Sequence, residues 1–279
     1  MSTDAIVVEC GDHEGSRSVV GYAADEALRA DTELALVMHC DVAESEAEAG
    51  AALVRAARQL EQAYGARLKV STLSLDGPRV KVLARAADGA RLVVVGQDAD
   101  GERSGLRAAQ SSLRIATAVT CPVVVVPAKW RSSPNARSVV VGVDGTPLSL
   151  DAVRYAFTVA AERGVDLSVV HSYWMRYSSG GAADRADTWV GEARSTVAES
   201  LAGCIEAYPD VRVSRVLTTR PVLDTLGGES RYAGLVVLGA HAGGGSVADP
   251  TTRRAIAEMT CPVAIVAHRR APVPRYGHG

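Results

Sequence analysis

The feature that most constrains this chain is an internal duplication. Tyr22-Ala23 recurs as Tyr155-Ala156, and at the same spacing Ser16 falls on Ser149, Leu34 on Leu167 and Val37 on Val170. Leu92-Val93-Val94-Val95-Gly96 recurs as Leu235-Val236-Val237-Leu238-Gly239, with Gly77-Pro78 opposite Arg220-Pro221. Cys121-Pro122-Val123 recurs as Cys261-Pro262-Val263. The spacing is 133 residues at first, then 143, then 140, so the second copy gains ten residues in its middle and loses three after Gly239. The repeat has the size of a small domain, so one fold is used twice.

The join falls in residues 128–136, AKWRSSPNA, a turn and linker composition. A boundary near Ser133 gives domains 1–132 and 133–279, and the proline- and glycine-containing stretch 269–279 reads as a poorly ordered tail. In the second copy, 138–143 is a β-branched run that reads as a buried strand. Residues 149–163 follow with apolar Val153, Ala156, Phe157 and Ala160 at helical spacing. Further strands are expected at 167–170, 211–216, 235–238 and 263–267, and helices at 184–208 and 221–230, the latter opened by Pro221. A glycine-rich loop and a short helix precede the last strand, and the first copy runs in the same order. Alternating strands and helices imply an α/β class: two tandem doubly wound, Rossmann-like domains, each a five-stranded parallel sheet flanked by helices. Such sheets bind ligands beyond the carboxyl ends of their strands, at the switch in strand order. Residues 10–13, 96–104, 144–149 and 239–246 fall there.

A net charge of −2 gives no broad attraction to nucleic acid or to an anionic membrane. No apolar run approaches the roughly 18 residues of a bilayer span, and the first residues lack a basic, apolar leader pattern. A cytoplasmic location is the expectation. The five cysteines are widely spaced with no CxxC, which suits a reducing compartment. Cys10, His13, His39 and Cys40 gather near strand ends, but their spacing fits no zinc motif, and Cys121 and Cys261 read as packing residues. Neither a hydrolase triad nor a P-loop is present, so no catalytic residue is assigned.

The second copy opens Val140-Val141-Gly142-Val143-Asp144-Gly145-Thr146-Pro147-Leu148-Ser149. With the late glycine loop and the Cys-Pro-Val before the last strand, found twice in order, this resembles the universal stress protein family along essentially the whole chain. The resemblance implies a stress-response role. It also brings a phosphate-cradling signature, Gly-x2-Gly-x9-Gly-Ser/Thr, which the ATP-binding members carry. The aspartate after the first strand lies by adenine and ribose. The first copy departs: Gly96 is followed by Ala99, Ala109-Gln110 replaces Gly-Ser, Asp98, Asp100 and Glu102 are acidic, and Gly11 replaces the aspartate. The second copy keeps Val143, Asp144, Gly145, Thr146, Ser149 and Gly239, has Ala242 for the second glycine, and holds Gly243, Gly244 and Gly245 in its loop. Its deletion puts Asp249-Pro250 where Gly-Ser belongs, with Thr251, Thr252, Arg253 and Arg254 following.

Each of these residues carries a plain reading beside the binding one. Asp144 suits a turn as well as a ligand contact, Gly243–Gly245 a bare loop, Ser149 a helix N-cap, and His171 a structural role at the pocket edge. The leading expectation is a cytoplasmic, non-catalytic stress-response protein binding an adenine nucleotide, ATP or AMP, through its second half, with no required cofactor or metal. The rival is a scaffold with vestigial pockets and an unidentified protein partner. The resemblance also implies edge-to-edge pairing of the last strands, so 123–126 and 263–267 are expected to pair within the chain as a pseudo-dimer, and pairing of whole chains into a homodimer is left open.

Overall fold

The computed structural model describes residues 3–11, 16–40, 46–97, 106–133, 136–173, 182–241 and 250–268. The first half runs β1 (Ile6–Glu9), α1 (Ser16–Arg29), β2 (Leu34–Cys40), α2 (Glu46–Tyr64), β3 (Val70–Asp76), α3 (Arg79–Ala86), β4 (Leu92–Gly96), α4 (Leu106–Ala118) and β5 (Val123–Val126). The second runs β6 (Ser138–Gly142), α5 (Pro147–Arg163), β7 (Asp166–Ser172), α6 (Ala182–Leu201), α7 (Cys204–Ala207), β8 (Val213–Thr218), α8 (Val222–Glu229), β9 (Ala233–His241), α9 (Pro250–Glu258) and β10 (Val263–His268).

The strands form one sheet in the order β3-β2-β1-β4-β5-β10-β9-β6-β7-β8. Within each half neighbouring strands are parallel. The halves meet where β5 lies antiparallel to β10, with Val125 opposite Val263, Val124 opposite Ala264 and Val123 opposite Ile265. The expected pairing of the last strands is therefore what joins the halves. Val124 and Ala264 occupy equivalent places in the repeat, so a pseudo-twofold axis passes between them.

The strand sequences explain this arrangement. β5 is Val-Val-Val-Val, buried throughout, and β1 and β4 are buried at every position. β-branched residues at most places suit strands covered on both faces. Alternate residues feed two separate layers. Ile6, Val8, Val124 and Ala264 pack with α1, α2, α5 and α6, whereas Val7, Val93, Val125 and Ile265 pack with α3, α4, α8 and α9. Each layer contains residues of both halves.

Two expected helices differ in detail. α5 starts at Pro147 with Thr146 as its N-cap, so Ser149 is not the cap. Proline suits a first helical position because its φ is fixed and its missing N–H would be unpaired there anyway. The helix expected over 184–208 is divided: α6 stops at Leu201, the chain turns at Gly203 with φ 77, and the short α7 follows.

Ala264 is fully buried on the axis between the halves. Ala264→Asp would place a carboxylate there without room for a partner, and should lower unfolding stability by about 3 kcal/mol or more. Urea denaturation checks this, and a loss below about 1 kcal/mol would contradict the seam as described.

Candidate functional site

In the second half the strand order reverses between β6 and β9, and a cavity of ≈ 690 Å³ opens there. Gly142, Val143 and Asp144 enter it from the end of β6, and Leu238, Gly239 and Ala240 from β9. The start of α5 contributes Thr146, Leu148 and Ser149, and the start of α9 contributes Thr251 and Thr252. Pro221, Val222 and Leu223, at the start of α8, form an apolar wall.

The polar rim is built by local hydrogen bonding. Asp144 Oδ1 accepts the Thr146 N–H at 2.9 Å and the Thr146 hydroxyl at 2.7 Å, an Asx-type turn that launches α5. The carboxylate stays exposed, and its second oxygen is a further acceptor at the cavity. Ser149 donates its hydroxyl to the Thr146 carbonyl at 2.8 Å from inside the first turn, and Thr252 donates to the Gly239 carbonyl at 3.5 Å. Both are buried, so each borders the cavity while serving its own helix.

The structure gathers Val143, Asp144, Thr146, Ser149, Gly239, Thr251 and Thr252 at one cavity. Gly145 and His171 are not among its lining residues. Gly145 sits in the turn with φ 80. His171 is buried in β7 and its Nδ1 donates to the Val143 carbonyl at 2.8 Å, so it holds the end of β6 in place from behind. Gly243, Gly244, Gly245 and Asp249 lie outside the described residues. Sequence reasoning missed Ser172, Val222, Leu223 and Leu238. Ser172 donates to the Arg220 carbonyl at 2.7 Å, fastening the end of β7 to the approach to α8. The repeated proline, Pro78 and Pro221, was the available signal, since each caps the helix that forms this wall.

The thiols of the first half are core groups. Burial, with the Glu9 charge second, pushes Cys10 up to about 12, so it is a neutral thiol at pH 7. Cys40 Sγ lies 3.2 Å from Ser74 Oγ, and His13 is outside the described residues. Burial likewise pushes Cys261 up to about 12, in keeping with a packing role before β10.

Two glycines keep the cavity open for different reasons. A β-carbon on Gly239 would lie 2.4 Å from the Leu148 carbonyl oxygen, part of the α5 backbone. One on Gly142 would lie 2.8 Å from Leu238 Cδ2, the movable end of a side chain. Gly239→Ala should therefore cost about 2–3 kcal/mol and Gly142→Ala about 1 kcal/mol, as overpacking against fixed and yielding neighbours. Chemical denaturation of both variants checks the order, and the reverse order would contradict the packing described.

Comparison with known proteins gives this geometry a context. The family model described as the universal stress protein family matches residues 135–267. A universal stress protein of Mycolicibacterium smegmatis is 36% identical over 155 residues, covering 53% of this chain and 52% of the relative. One from Mycobacterium tuberculosis H37Rv is 39% identical over 128 residues, covering 45% of this chain and 43% of the relative. The matched segment thus spans about half the length of these curated relatives. Among solved structures, a universal stress protein from Archaeoglobus fulgidus superposes over 96% of this chain and 99% of its own at TM-score 0.66, with 16% identity, a likeness of fold. Residues 135–267 thus match the universal stress protein family in sequence, and the fold of the Archaeoglobus fulgidus protein extends along nearly the whole chain.

Proposed function

We propose that this chain is a non-catalytic stress-response protein of the cytoplasm that binds an adenine nucleoside or nucleotide in its second domain, residues 133–279. The observation that carries the reading is the cavity at the β6/β9 switch, which joins an apolar wall to an acidic rim. Its ≈ 690 Å³ lies within the roughly 300–1,000 Å³ of small-molecule sites. Val222, Leu223 and Leu238 suit the face of a flat base, and the Asp144 carboxylate suits ribose hydroxyls. Among the described residues no helix is long and apolar enough to cross a membrane.

The phosphate side is the weaker part of the site. α9 opens on Pro250, which has no N–H to offer an anion, and Asp249 stands before it in sequence. Relative to an intact signature, two donors are lost. Each hydrogen bond to a charged group contributes about 1.5–3 kcal/mol, so triphosphate binding is weaker by roughly two to four orders of magnitude. AMP and adenosine are then expected to bind about as well as ATP.

The rival reading is a scaffold whose cavity takes no ligand. It is favoured by the Asx turn, which already occupies Asp144 Oδ1. Calorimetric titration separates the two. We expect one site per chain, similar affinity for adenosine, AMP and ATP, and loss of all binding in Asp144→Ala. Asp249→Gly with Pro250→Ser should strengthen ATP binding selectively. No heat with any of the three ligands would favour the scaffold. Tight, phosphate-dependent ATP binding that survives Asp144→Ala would place the site elsewhere.

A further inference from the structure

The second-half cavity has a counterpart in the first half, and different side chains stand there. By the repeat, Gly142 corresponds to Glu9, Ser172 to His39, Val222 to Arg79 and Thr251 to Ser111. The structure supports each match. Glu9 faces Val37 as Gly142 faces Val170, and His39 faces Leu75 as Ser172 faces Thr218. Pro78 and Pro221 cap the helices that begin with Arg79 and Val222. Ser111 and Thr251 each precede a buried hydroxyl residue, Ser112 and Thr252, on α4 and α9.

All four second-half residues border open space. Three of their counterparts are linked. Arg79 Nε donates to Glu9 Oε1 at 2.5 Å and Nη2 to Glu9 Oε2 at 2.7 Å, a bidentate pair. Arg79 Nη1 donates to Ser111 Oγ at 2.7 Å. One guanidinium thus ties the start of α3 to the end of β1 and to α4, spanning walls that stand apart in the second half. The side chains of Glu9 and Arg79 are 3% and 8% exposed. His39 lies alongside, its Nδ1 3.7 Å from Glu9 Oε1. The surroundings fit the exchange. A β-carbon on Gly142 would meet Leu238, but the counterpart of Leu238 is the shorter Val95, which leaves room for Glu9.

We infer that the first half contains a latent copy of the cavity, closed by the Glu9–Arg79 ion pair, and that this pair limits the chain to one ligand site. The inference rests on the proposed reading of the second-half cavity for the ligand's identity, but not for the closure itself. A buried ion pair has a distinctive mutational signature. Removing one partner strands a charge, whereas replacing both with apolar or small groups is close to neutral.

The test has two arms, both on the full chain. The first is a double-mutant cycle with the second-half residues, Glu9→Gly and Arg79→Val, read by thermal unfolding. Each single variant should lower Tm by about 6 °C or more, and the double variant should recover much of that loss. Additive losses would overturn the ion pair as the closing element. The second arm transfers Glu9→Gly, Gly11→Asp, His39→Ser and Arg79→Val together and titrates adenosine, which needs no phosphate loop. Stoichiometry should rise from one to two, and a value fixed at one would overturn the latent site. If the unmodified chain binds no adenosine, the proposed function fails. The closure is then decided by the double-mutant cycle alone, which needs no ligand.

Discussion

Everything in this molecule is organised by the antiparallel contact of β5 with β10. Each is the last strand of its half, and each would otherwise be an open edge of valine and isoleucine backbone. Pairing them converts two five-stranded sheets into one of ten and buries both faces of the junction. Because the contact is antiparallel, it generates a twofold relation between halves of a single chain. Each helical layer then crosses the seam as one core. Polar contacts follow the same line. Arg163 of α5 donates to the Tyr22 hydroxyl at 2.6 Å and to Glu26 at 2.9 Å on α1, and Arg91 pairs with Glu162. Gln97 reaches the carbonyls of Ile256 and Ala257 at 2.9 and 3.1 Å.

The same symmetry makes the differences between the halves interpretable. Strand order, helix order and the capping prolines are shared, so contrasts at equivalent positions are differences of chemistry on one scaffold. In the second half, glycine at 142, serine at 172 and valine at 222 leave a space beside Asp144. In the first, glutamate, histidine and arginine occupy the corresponding places, and Gly11 replaces the aspartate. Polar groups placed in such a confined space must satisfy each other, and Glu9 and Arg79 do so with paired hydrogen bonds.

Most of the fold was legible because strand periodicity and the repeat are properties of local sequence. The valine runs identified buried parallel strands, the duplication gave the two-copy architecture, and the family resemblance gave the pairing of the last strands. The start of α5 was misplaced by two residues because Ser149 resembles a cap, whereas Pro147 and the Asp144 turn set the boundary. The acidic side of the site was legible as a motif. Its apolar wall was not, since Val222 and Leu223 approach Asp144 only through the crossover that packs α8 beside β6. Nor was the first-half ion pair, because Glu9 and Arg79 are 70 residues apart and neither belongs to a recognisable pattern. His171 read as a pocket-edge candidate because it ends a strand, but its ring turns to the Val143 carbonyl.

On the proposed reading, one half of a symmetric scaffold holds a nucleoside while the other half is shut by its own side chains. A crystal structure of the full chain grown with adenosine tests it most directly. One ligand per chain is expected between β6 and β9, its base against Val222 and Leu238 and its ribose hydroxyls at Asp144, with the Glu9–Arg79 pair unbroken. Ligand density beside Glu9 and Gly96, or a cavity at Asp144 empty at saturating adenosine, would contradict it.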